Sequence, residues 1–91
     1  MAVHSTASRP TLTSSDVAKV FSHCYGLIES GRAARVQRAL HDGILTVAVI
    51  DPKGRAAYSV GRTRRGYVLY RADGAELATS RNLPTVLKRL R

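Results

Sequence analysis

The sequence predicts a two-layer α+β domain: one or two N-terminal helices and a short C-terminal helix packed on one face of a three- to four-stranded antiparallel β-meander. Three observations predict it. Apolar residues recur at helical steps from Val17 to Ile28; β-branched and alternating segments separated by Asp-Pro-Lys-Gly and Asp-Gly turns follow; and a second, shorter helical stripe closes the chain after Asn82.

Residues 1–12, rich in Ser, Thr and Ala and without period, read as a flexible tail, leaving a single domain over 13–91. Thr13, Ser14 and Ser15 offer N-cap oxygens, and Asp16 lies where the helix dipole favours a carboxylate. Val17, Val20, Phe21, Cys24, Leu27 and Ile28 then form one stripe, and Ser30-Gly31 is a natural stop. The stretch RAARVQRALHD from Arg32 to Asp42 admits two readings. As a helix it buries Val36, Ala39 and Leu40 and lines Arg32, Arg35 and Arg38 along its outer face; as a strand it turns at Asp42-Gly43 into the next strand. Ala, Arg, Gln and Leu favour the helix by propensity.

ILTVAVI, apolar on both faces, reads as a central strand. After the turn at 51–54, Arg55 to Gly61 alternates, with Ala56, Tyr58 and Val60 on one side. A basic loop from Gly61 to Gly66 leads into YVLYRA, and Asp73-Gly74 returns the chain through AELATS. Asn82 is placed to cap a last helix that has Pro84 near its start and Leu83, Val86, Leu87 and Leu90 on one stripe.

Charge points to the class of partner. Of 15 basic residues in 91, 12 are arginine, against 6 acids, for a formal net charge of +9. From Arg55 to Arg91 nine basic residues face two acids, Asp73 and Glu76. Guanidinium groups are weakly hydrated, fork onto phosphate and stack on flat rings, so the expected partner is nucleic acid, DNA and RNA being undecided. Arg62, Arg64 and Arg65 in the basic loop are expected to clamp successive phosphates, with Arg55, Arg71, Arg81, Lys88 and Arg89 extending the surface. Tyr67, with Tyr58 and Tyr70, is a candidate for base stacking, although Tyr67 and Tyr70 must point to opposite faces of their strand. This reading requires the arginines to share a surface and to be without carboxylate partners. The rival reading is a small adaptor or inhibitor, of the kind phages and mobile elements encode, that binds an acidic protein surface or blocks a nucleic-acid channel.

Catalysis finds no motif. His4, His23, His41 and Cys24 lack metal-ligand spacing, no glycine-rich phosphate loop or paired carboxylates occur, and neither cofactor nor metal is expected. Cys24 falls on the apolar stripe as a core residue, and a lone thiol fits a reducing cytoplasm. No apolar run approaches the ~20 residues of a membrane span, so membrane association is not expected. The order helix, antiparallel sheet, closing helix is similar to that of double-stranded-RNA-binding domains and of the small toxins sharing their fold. The chain lacks the lysine cluster those domains carry before the last helix, and its anticipated strands hold no histidine of the toxin kind. Residues Gly66 to Leu90, a hairpin and then a helix, resemble the sheet-reading DNA-binding modules of some integrases. Both likenesses are of element order, and neither family is assigned.

Overall fold

The computed structural model describes residues 10–90. Helix α1 (Ser14–Glu29) is followed by strands β1 (Arg35–His41), β2 (Ile44–Ile50), β3 (Ala56–Thr63), β4 (Gly66–Arg71) and β5 (Glu76–Ser80), and by the short helix α2 (Leu83–Leu87). The five strands form one antiparallel sheet in sequence order, so each hairpin is local and the α+β meander is realised.

Thr13 starts α1 through a capping box: its hydroxyl accepts the Asp16 N–H at 3.1 Å while the Asp16 carboxylate accepts the Thr13 N–H at 2.9 Å. Val17, Val20, Cys24 and Leu27 lie on the sheet side of the helix and are buried. Phe21, expected in the same stripe, sits at its margin, 37% exposed. At the other end of the chain Leu83, Val86, Leu87 and Leu90 are all buried, as their spacing predicts. Asn82 occupies the N-cap of α2 but makes no side-chain capping bond, and Pro84 supplies the start. These residues close on Val47, Val49, Val60 and Leu69 of the sheet in one core.

Of the two readings of 32–42 the strand is realised, against the helix that propensity favours. Its residues pair with β2 without a register shift from Arg35↔Ile50 to His41↔Ile44. Asp42 and Gly43 take φ of 53° and 78°, a two-residue turn that asparagine, aspartate and glycine tolerate. The sheet therefore has five strands, and Arg35 and Arg38, opposite Ile50 and Val47, point to opposite faces rather than along one stripe. His41, at the end of β1, is a strand histidine, with a fully solvated ring.

Of the expected tail, residues 1–9 lie outside the described residues. Thr11 and Leu12 are packed: the Leu45 N–H donates to the Thr11 hydroxyl at 2.6 Å, and Leu12 is 2% exposed in the core. Among the described residues no helix is long and apolar enough to cross a membrane.

Candidate functional site

The basic loop is tighter than its sequence implies. β3 runs through Gly61 to Thr63 and β4 begins at Gly66, leaving only Arg64 and Arg65 in the turn. Gly61 is a mid-strand residue opposite Val68, not a hinge of the loop. The Thr63 hydroxyl ties the turn together, accepting the Arg65 N–H at 3.1 Å and donating to the Gly66 carbonyl at 3.3 Å.

Gly66 is required here. Its φ is +125°, and a Cβ at this position would stand 2.5 Å from the Ser80 carbonyl oxygen and 3.0 Å from Arg81 Cα. Only glycine lets the start of β4 press against the end of β5. That approach carries Arg81 beside the β3–β4 turn, where Arg62, Arg64 and Arg81 converge on a polar recess of about 220 Å³ whose remaining wall is Thr63, Gly66 and Tyr67.

The recess is anchored from below by Asp16. Register places Arg62 opposite Tyr67 on the helix side of the sheet, and the guanidinium lies 5.1 Å from the centroid of that ring. The Tyr67 hydroxyl donates to Asp16 Oδ1 at 2.8 Å, and Arg62 Nη1 is 3.8 Å from Oδ2. Burial pushes the Asp16 carboxyl up, but hydrogen bonds from the Thr13 backbone and from Tyr67 and Thr13 side chains, with Arg62 nearby, outweigh it and hold the pKa below the ordinary value. The Tyr67 phenol moves the other way, raised by burial and by its bond to that carboxylate. At this end of the sheet Arg62 meets the buried Asp16 carboxylate, whereas among the described residues Arg64 and Arg81 have no carboxylate partner.

The other anticipated contacts do not join this cluster. Arg65 turns away to Glu76, Nη2 to Oε1 at 2.8 Å. Arg55 and Arg71 lie toward the opposite end of the sheet, Arg55 about 23 Å of strand from Arg62, around a separate recess with Tyr58 and Asp51. Both are paired there, Arg55 with Asp51 at 3.4 Å and Arg71 with Asp73 in a two-pronged contact at 2.7 and 3.1 Å. Asp73 is held down to about 2, chiefly by the Arg71 hydrogen bonds. Lys88 lines a groove between α1 and α2 with Lys19 and His23, and Arg89 follows it, exposed, in the turn after α2. Arg91 lies outside the described residues. Among the described residues Arg55, Arg62, Arg65 and Arg71 each meet a carboxylate, as Tyr67 does through its hydroxyl, so the requirement that the arginines be without carboxylate partners is not met at these four. Of the anticipated basic residues, Arg62, Arg64 and Arg81 are brought together at one sheet end.

Tyrosine placement also narrows the chemistry. Tyr58 and Tyr67 pack against the core, and Tyr70 is on the reverse face, over Gly61. Sequence reasoning assigned Asp16 to the helix dipole and did not connect it with Tyr67, 51 residues away. Cys24 is fully buried with its thiol pushed up to about 11 by burial, and His23 Nε2 lies 3.1 Å from the Leu90 carbonyl oxygen. Among the described residues no three His, Cys, Asp or Glu side chains cluster as metal ligands. No protein-family model matches the chain, and no curated protein or solved structure matches it.

Proposed function

We propose that the protein is a small, non-enzymatic nucleic-acid-binding domain, cytoplasmic in location, that grips the phosphate backbone at the β3–β4 end of its sheet. The observation that carries this reading is the convergence of Arg62, Arg64 and Arg81 on one polar recess in which, among the described residues, only Arg62 has a carboxylate partner. Arg62 is held from behind by Asp16 and Tyr67, so it is pre-positioned and loses little freedom when an anion arrives. Arg64 and Arg81, both exposed, supply the forked donors that phosphate accepts bidentately. A high pKa and complete burial make Cys24 itself a poor nucleophile.

The test is fluorescence anisotropy with labelled single-stranded RNA, single-stranded DNA and duplex DNA. The intact chain should bind at least one probe at roughly 50 to 100 mM salt and release it steeply as salt rises. Arg64→Glu with Arg81→Glu should abolish that binding while leaving Asp16, Tyr67 and Arg62 in place. Failure of the unaltered chain to bind any of the three probes at low salt overturns the reading.

A further inference from the structure

We infer that the outer edge of β1 is a docking site for an extended acidic segment of a partner protein, which adds to the sheet as a further strand and seats its apolar side chains between β1 and α1. This site lies on the opposite edge of the sheet from the arginine recess and does not depend on the nucleic-acid reading.

β1 is a terminal strand, so its outer N–H and C=O groups are a template for another strand. It is seven residues long, and no bulge interrupts its pairing with β2. The other edge strand, β5, is shorter, shifts register against β4, and runs directly into α2. Beside β1 runs a groove of about 640 Å³ lined by Phe21, Tyr25, Ile28 and Val36, with Arg35 on its rim. Tyr25 is 61% exposed and Leu40 of β1 72%, large apolar surfaces for a strand and helix pair to leave in water.

Charge selects the occupant. Arg32, Arg35 and Arg38 border this edge, and no carboxylate occurs in the sequence between Glu29 and Asp42. Arg35 Nε donates only to the neutral Gln37 side chain, at 3.2 Å. A second copy paired edge to edge in antiparallel register sets these arginines against their own kind, which opposes self-association. The same charges attract a strand that alternates acidic and apolar residues: the acids meet Arg35, which shares its face of β1 with Gln37, and the apolar side chains enter the groove beside Val36 on the other face, with Arg38 at the groove's margin. A nucleic acid has no strand backbone to pair with the edge.

The probe is a fluorescein-labelled peptide of alternating Glu and Val with a central Phe, titrated onto the intact chain. Saturable binding is expected, with amide shifts concentrated in Arg35–His41 and absent from the Arg62–Gly66 turn. N-methylation of alternate peptide residues on the pairing edge, which preserves every side chain, should weaken binding at least tenfold against the unaltered protein. Arg35→Glu with Arg38→Glu should weaken it at least tenfold as well. No saturation by about 1 mM peptide, equal affinity for unmodified peptide and both N-methylated registers, or a concentration-dependent dimer through β1 would each overturn the proposal.

Discussion

Asp16 joins three levels of this molecule through two oxygens: it closes the capping box of α1, accepts the hydroxyl of Tyr67 in β4, and faces Arg62 at the anion recess. Its replacement by asparagine weakens or removes charge-assisted bonds at a site 6% exposed, and should lower stability by about 1 to 3 kcal/mol in urea unfolding. The sign of the pH dependence follows from its depressed pKa. Stability from the carboxylate is complete above the unfolded value, about 3.9, and is lost as pH falls through the lower folded value. The gap between wild type and Asp16→Asn should therefore be constant from pH 7 to about 5 and shrink below about 4; a gap independent of pH down to the acid transition would contradict the assignment. Cys24 gives a second residue-level test. With its thiol raised to about 11 and no exposed surface, it should react with a disulfide reagent at pH 8 only after unfolding. At this scale the sequence was half legible: the cap and buried cysteine follow from spacing, whereas no local pattern links Asp16 to a tyrosine 51 residues on.

Among the elements, α1, β2 to β5 and α2 could be read because each carries its own periodicity and punctuation, while β1 stayed open between helix and strand. Ala, Arg, Gln and Leu in RAARVQRALHD favour helix, but a two-residue Asp42-Gly43 turn and seven pairs with β2 outweigh those propensities. β1 also lacks the buried alternation that marks a strand, since only Val36 is even partly covered. Gly66 is the element-level hinge of the site. Gly66→Ala forces a side chain into the Ser80 carbonyl at an unfavourable φ, and should cost about 2 kcal/mol or more. Calorimetric melting reads that loss, and an unchanged melting temperature would show that β4 and β5 do not depend on the close approach. Thr13→Ala should cost about 1 kcal/mol through removal of the cap, checked by the same melts.

Across the whole molecule, the net charge of +9 is less informative than where its carboxylates fall. Asp51, Asp73 and Glu76 neutralise arginines at one end and along β5, which composition alone does not reveal because these pairings depend on turns and cross-strand register. What remains is an asymmetric sheet: an arginine recess where β3, β4 and β5 meet, and a paired, nearly balanced end at Arg55 and Arg71. The comparison of those two ends is the most direct test. The salt dependence of nucleic-acid affinity should be measured for wild type, for Arg64→Gln with Arg81→Gln, and for Arg55→Gln with Arg71→Gln. The recess variant should reduce the slope of log affinity against log salt by about 0.7 to 0.9 for each phosphate it no longer neutralises, and the opposite-end variant should leave it unchanged. Equal slopes in all three proteins, or a greater reduction from Arg55 and Arg71, would contradict the placement of the phosphate grip at the β3–β4 turn.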